Sequence, residues 1–277
     1  VLVTKGWELS VSYEKQLRNE LGFSDTAMIS DQTGKITKFA NEEVSIQIGG
    51  NNTPYYKGMT IGEIWGYTSD RLFKESDFSG NNGAANPTWI YGPGTPNQDA
   101  LNTSSAFHFG PGDVKYKDTT GDGVVNFGAG TNLDHGDMSI IGNTTPRYIY
   151  GLKLGLNYKG IDFSAFIQGV GKRDYWGTGS LFIPGFTQAE AVYQNQMDYW
   201  TPENQNAYYP APSNPGANNH NANWQPQTRY LTNMSYLRMK NITIGYMLPP
   251  HWLTKTGVRS VRRSEEHTSE LQSRQSI

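Results

Sequence analysis

The sequence predicts an all-β chain of antiparallel strands, each long enough to cross a bilayer and joined by very unequal connections. Three observations carry this. Apolar and polar residues alternate with period two over stretches of about ten residues. Aliphatics are scarce, with a hydrophobic share of 36%, whereas aromatics reach 13% and Gly numbers 31, a balance suited to strands and turns rather than helix bundles. Finally, a two-residue turn coexists with connections of more than 60 residues, lengths foreign to a compact soluble domain.

In chain order, the first strand is Trp7-Glu8-Leu9-Ser10-Val11-Ser12-Tyr13, with Trp7, Leu9, Val11 and Tyr13 on one face. The clearest runs from Tyr148 to Tyr158. There Tyr148, Tyr150, Leu152, Leu154, Leu156 and Tyr158 oppose Ile149, Gly151, Lys153, Gly155 and Asn157. Lys159-Gly160 then makes a tight turn, the Gly supplying the positive φ that a hairpin needs. The return strand places Ile161, Phe163, Ala165 and Ile167 together, and a further strand spans Tyr236 to Leu248 before Pro249-Pro250 stops it. Tyr at both ends of an apolar face with Leu between is the girdle pattern of a transmembrane barrel. Alternation alone fits a soluble sandwich equally well. The connections decide: Asp70 to Thr145 and Gly171 to Asn233 are long, and transmembrane barrels pair short turns on one side with long external loops. The predicted fold is therefore an antiparallel transmembrane β-barrel fragment, an open curved sheet with long extracellular loops.

Net charge is −2, so no global field draws nucleic acid or an anionic surface. The absence of Cys excludes disulfides and Cys-based metal or redox motifs. No run of about 18 apolar residues exists, which excludes a transmembrane helix but not a barrel, whose strands average out as polar. Val1 to Trp7 lacks the features of a signal peptide. From Arg263 the string Arg-Ser-Glu-Glu-His-Thr-Ser-Glu-Leu-Gln-Ser has neither period and resembles a translated sequencing adapter. Residues 263–277 are accordingly expected to be a non-native tail. Residues 1–262 are expected to be a barrel portion incomplete at both ends, with a new strand starting near Val258.

A family resemblance rests on a series of motifs in order. They are Lys5-Gly6-Trp7-Glu8-Leu9-Ser10, Lys35-Ile36-Thr37-Lys38-Phe39, Ile61-Gly62-Glu63-Ile64-Trp65-Gly66-Tyr67, and Gly112-Asp113-Val114-Lys115-Tyr116-Lys117-Asp118 with Gly121-Asp122-Gly123. Ile140-Ile141-Gly142-Asn143-Thr144-Thr145-Pro146-Arg147-Tyr148 and Phe163 to Asp174 follow. Tyr236-Leu237-Arg238-Met239-Lys240-Asn241 and Ile244-Gly245-Tyr246-Met247-Leu248-Pro249 complete the series. Each is weak singly; together they are specific. The chain resembles the SusC/RagA family of TonB-dependent transporters over most of residues 1–262. The resemblance implies the late, C-terminal-side part of a plugged barrel of about 22 strands, located in a Gram-negative outer membrane as a multi-pass barrel. It implies import of glycans or peptides with a SusD-like surface lipoprotein, powered through TonB by way of an upstream segment. Expected partners are thus that lipoprotein, TonB, outer-membrane lipid and the substrate, with no nucleic acid and no enzymatic activity.

The sharpest local motif is Asp118-Thr119-Thr120-Gly121-Asp122-Gly123-Val124-Val125-Asn126. Its spacing is that of the start of a calcium loop, with Asp118, Thr120, Asp122, the Val124 carbonyl and Asn126 as oxygen donors. Ala129 stands where the closing carboxylate belongs, and Asp137 best matches the family's acidic residue before Ile-Ile-Gly. A structural Ca²⁺ of modest affinity and a metal-free Asp/Gly turn network both fit the spacing. Tyr175, Trp176, Tyr199 and Trp200 are candidate substrate contacts, and equally candidate loop anchors. The Asn-rich run 218–223 reads as solvated loop. The five His residues lack zinc spacing, and no nucleophile elbow or phosphate loop occurs. The second reading is a secreted soluble β-sandwich binding calcium and carbohydrate, which would bury the apolar faces that a barrel shows to lipid; an extracellular glycan hydrolase has little support.

Overall fold

The computed structural model describes residues 1–267 apart from 18–19, 47–49, 52, 85–86, 103–106, 185–191, 213–221, 255–256 and 258. The strand start expected at Val258, the Asn214-Pro215-Gly216 turn, Asn218 to Asn221 and the tail beyond His267 lie outside those residues. Among the described residues no helix is long and apolar enough to cross a membrane, and the regular structure is almost entirely antiparallel strands. It divides into two compact units.

One unit, built from Thr4–Gly34, Thr145–Arg173 and the chain from Met234 onward, is a sheet. Its six strands are β1 (Leu2–Gln16), β2 (Leu21–Ile36), β9 (Arg147–Tyr158), β10 (Ile161–Lys172), β13 (Tyr236–Met247) and β14 (Arg262–His267), side by side in that order. β9, β10 and β13 each have 12 residues, sufficient for a tilted strand to cross the hydrocarbon core. Between β9 and β10, Lys159 and Gly160 take φ of 48° and 83°, the doubly left-handed turn whose twist suits a two-residue hairpin. The register aligns the apolar face across strands. Phe163 lies opposite both Leu156 and Ile244, and Leu156 in turn opposite Phe23. Ile161 similarly joins Tyr158 and Tyr246. The alternate positions carry Asn157, Lys153, Asp162, Ser164, Gln168 and Thr243. A bulge between Phe166 and Ile167 shifts the β10–β13 pairing by one residue.

That apolar face is not the inside of a sandwich. Tyr158, Ile161, Ile244 and Tyr246 are exposed, Ile244 by 56%. Trp7, Leu9, Val11 and Tyr13 of β1 are more than half exposed. The buried hydrophobic cluster draws no residue from β9, β10 or β13. Among the described residues no second layer interlocks with these side chains, so the sheet has the barrel character the sequence predicts; it is open, with β1 and β14 at its edges.

β1 is longer at both ends than the stretch Trp7–Tyr13, and β14 begins four residues beyond Val258 and takes in residues of the expected tail.

The other unit, Val1–Val3, Lys35–Thr144 and Asp174–Asn233, holds the long connections, and they are not bare loops. Four two-stranded sheets form here: β3 (Glu63–Tyr67) with β8 (Met138–Asn143), β4 (Ser69–Leu72) with β7 (Val114–Tyr116), β5 (Phe78–Asn81) with β6 (Trp89–Tyr91), and β11 (Asp174–Trp176) with β12 (Leu231–Asn233). Three of these pairings are broken by register shifts, which keeps the pieces short and bent. They surround a dry core of Ile46, Trp65, Tyr67, Phe73, Phe109, Val114, Tyr116, Val125 and Met138. β3 is buried along its whole length. Gly66 is required there, because a Cβ would run into the Pro226 carbonyl. The Tyr67 N–H donates to that same carbonyl at 2.8 Å, and the Thr228 N–H to Tyr67 O at 3.1 Å.

Candidate functional site

The Asp/Gly loop is pinned from below by apolar side chains. Val125 and Met138 sit in the core, the Asn97 N–H donates to Gly123 O, and the Val125 N–H to Asn97 O at 2.7 Å. Above these anchors the chain turns through Gly121 and Gly123, at φ of 77° and 85°. The Asp118 carboxylate accepts the Gly121 N–H at 2.5 Å and the Gly123 N–H at 2.8 Å. Slight burial acts to raise the Asp118 pKa, but these N–H donors and the Thr120 hydroxyl outweigh it and hold the group below the ordinary carboxylate value. Asp122 Oδ1 accepts the Val124 N–H at 2.8 Å, and Asn126 Oδ1 the Gly128 N–H at 2.7 Å. Asp137 is fully buried and closes the loop from the far side. Its Oδ1 accepts the Thr119 and Thr120 N–H groups at 2.7 and 3.1 Å, and its Oδ2 the Asn126 N–H at 2.8 Å.

The structure thus brings five of the six expected donors around one turn and sets Asp137 behind them, where both its oxygens serve the backbone. Among the described residues no three Asp, Glu or His side chains converge into a metal cluster. A cation here would rest on two carboxylates, Asp118 and Asp122, with neutral oxygens from Thr120, Val124 and Asn126. Hard-ion affinity falls as the charged ligands become fewer.

The four candidate aromatics separate. Trp176 is buried, its ring against Gly50, and its backbone is held at both N–H and carbonyl by the Asn51 amide. Trp200 packs beside the core over Gly112, which must lack a side chain to admit the indole. Tyr199 pairs with Tyr209 through a parallel bridge. Tyr175 is the exposed member, its ring 6.4 Å from Phe182.

Two groups of residues escaped sequence reasoning. The first corrects the solvated-loop expectation for the Asn-rich run: Asn223 is fully buried. Its amide donates to Asp113 Oδ1 at 2.6 Å while its carbonyl accepts the Val114 N–H at 2.7 Å. Asp113 also accepts the Gly110 N–H at 2.8 Å. Gln98 bridges the Val114 carbonyl and the Tyr116 N–H, and Gln227 donates to Asn223 O at 2.7 Å. Buried polar groups of this kind cost free energy unless paired, so here Asn is a clasp between two long connections and not a solvating residue. The second group is the ring cluster Tyr208, Tyr209, Trp224 and Tyr230 around Arg229. Its members lie about twenty residues apart in two segments with no periodicity, so no local signal announces it.

Known proteins decide the family likeness. No family model matches the chain. In sequence it is 23% identical over 268 residues to TonB-dependent receptor P26 of Formosa agariphila, and 24% identical over 269 residues to TonB-dependent receptor P3 of the same organism. Each match takes in 94% of this chain and 23% of the relative. In structure it superposes on the RagAB peptide transporter with a TM-score of 0.58 at 15% identity, over 96% of this chain and 25% of that one. The chain resembles a SusC/RagA-type TonB-dependent receptor. The RagAB peptide importer in its 'open-open' state gives a TM-score of 0.55 at 14% identity. The chain spans about a quarter of the length of the proteins it matches. The sequence relatives are named as receptors, and the structural neighbours as a transporter and importer. The chain's fold follows theirs: one unit is a sheet of long antiparallel strands, and the other is a compact set of short two-stranded sheets.

Proposed function

We propose that this chain is part of a TonB-dependent outer-membrane importer of glycans or peptides that works with a SusD-like surface lipoprotein. One observation carries the reading: an antiparallel sheet of bilayer-length strands turns a continuous apolar face, banded by Tyr, to its uncovered side. Such a face is stable only against lipid. The likeness to TonB-dependent receptors supports import, and the likeness to the RagAB peptide transporter and importer favours peptides over glycans. The test is accumulation of labelled oligopeptides and oligosaccharides by cells carrying the whole transporter. Uptake that needs both TonB and the adjacent lipoprotein is expected; uptake indifferent to TonB refutes the reading.

The Asp118–Asp137 turn is, in this reading, a structural Ca²⁺ site in an external loop. Support comes from the donor spacing and from the turn already folded around Asp118 and Asp122. Two carboxylates imply weak binding, about 10⁻⁴ to 10⁻³ M, as in extracellular modules. Calorimetric titration of the whole transporter with Ca²⁺ should show heat that Asp118→Ala with Asp122→Ala abolishes. Heat unchanged by the double substitution rejects the site.

A further inference from the structure

Three arginines of this chain are neutralised in the same way. Arg71 meets Asp77, Arg147 meets Asp31 and Arg262 meets Asp162. Arg229 is treated differently. Its Nε donates to the Tyr208 carbonyl at 3.0 Å and one Nη to the Ala207 carbonyl at 2.7 Å. Its guanidinium lies 5.7 Å from the ring centres of both Tyr208 and Tyr230. Among the described residues no carboxylate pairs with it. Of the two acids in the segment that carries Tyr208, Glu203 makes no ion pair with Arg229, and Asp198 spends its oxygens on the Tyr208 N–H and the Asn204 amide. Carbonyl dipoles and ring faces orient a cation, but they bring only partial charge. A full positive charge therefore stays uncompensated at the loop surface.

The setting is rigid. Tyr230 stacks on Tyr209 at 11° between planes and packs on Trp224 at 4.6 Å, and its hydroxyl donates to Tyr208 O at 2.8 Å. Tyr208 stands edge-on to Tyr230 and keeps 39% of its surface exposed. A guanidinium whose orientation is fixed in advance loses little entropy on binding, and its planar fork suits a carboxylate. The exposed Tyr208 ring offers a flat face beside it for the residue or sugar that bears the acid.

We infer that Arg229, set between Tyr208 and Tyr230, binds a carboxylate on the transported chain. This rests on the importer reading and narrows its substrate to acidic peptides or uronate-bearing glycans, two sources of one chemistry.

The experiment uses the whole transporter in detergent at about 150 mM salt, where diffuse attraction is screened. Two matched pairs are titrated: a Glu-containing octapeptide with its Gln counterpart, and an oligogalacturonate with its methyl ester. At least one acidic member should bind about tenfold or more tighter than its neutral partner, and the pair that does so names the source. Arg229→Gln should erase that preference while neutral binding persists, and Arg229→Lys should keep part of it. The inference is overturned if neither acid is preferred, if the preference survives Arg229→Gln, or if that variant loses neutral binding too, the sign of a purely structural role. TonB-dependent uptake of the neutral peptide judges the importer reading separately, so the two can fail independently.

Discussion

Asp113 shows how one residue can set the pH response of the loop unit. It is buried, and its partners, the Asn223 amide and the Gly110 N–H, are neutral. Tyr91 and Tyr116 lie near enough to feel its charge, and both are themselves pushed up by burial. Desolvation lifts the Asp113 pKa to about 7, against the pull of those two hydrogen bonds. The folded value exceeds the unfolded one, so the folded unit binds the extra proton between them. Stability is therefore undiminished below about pH 4, falls as pH rises toward 7, and is flat above. Hydrogen exchange at the Val114 and Tyr116 amides, corrected for intrinsic rates, should report opening that becomes easier across that range in the whole transporter. In Asp113→Asn the slope should vanish, although an amide now faces the Asn223 amide and lowers protection throughout. A slope that survives the substitution assigns the titration elsewhere. Nothing in Gly112-Asp113-Val114 discloses this, because a carboxylate's environment depends on Asn223, 110 residues away.

At the scale of elements, the sequence is most legible where one hairpin stands alone. β9 and β10 follow the alternation of Tyr148 to Tyr158 and Ile161 onward almost residue for residue, since period-two patterning and a two-residue turn are local properties. The same turn is open to a direct test. Gly160 has φ of 83°, and a Cβ there would lie 2.9 Å from the Met247 carbonyl, which itself sits in the strand next to β10. Gly160→Val should cost on the order of 1–3 kcal/mol from the left-handed backbone of a β-branched residue. It should lower the fraction of transporter that runs as the compact, unheated band on a detergent gel. Lys159→Asn should leave that fraction level or raise it, because Asn tolerates φ of 48° better than Lys. Equal yields for Gly160→Val and the parent would show that the hairpin does not need this turn. Less legible were the small sheets of the loop unit. Strands such as β7 and β11 have three residues, too few for any period, and their pairing is imposed by a core assembled from segments far apart in sequence. The loop at Asp118 was legible as a set of oxygen donors, but the role of Asp137 as acceptor for three backbone N–H groups was not.

For the whole molecule, what matters is which side of the sheet meets hydrocarbon. Leu154 and Ser164 sit on strands β9 and β10 near mid-length, on opposite faces: Leu154 opposes Ala165, and Ser164 opposes Gly155 and Thr243. The Leu154 side continues through Leu152, Leu156 and Phe163 to Tyr158, while the Ser164 side carries Lys153, Asn157, Asp162 and Thr243. In a barrel the first side faces lipid and the second a wet lumen, so one charge placed on either should have unequal effects. Arg at a lipid-facing position near the bilayer midplane costs about 2–4 kcal/mol, and lumen positions are far more tolerant. Leu154→Arg should therefore unfold the whole transporter at clearly lower urea than the parent when it is reconstituted in thin-bilayer vesicles, and Ser164→Arg should shift it little. A soluble sandwich, in which Leu154 would meet a second sheet, also predicts a loss at 154. The two architectures part in solvent, because the barrel refolds only when vesicles are supplied and the sandwich refolds in buffer. Refolding without lipid, or an equal penalty at both positions, would overturn the membrane-facing assignment on which the transport reading depends.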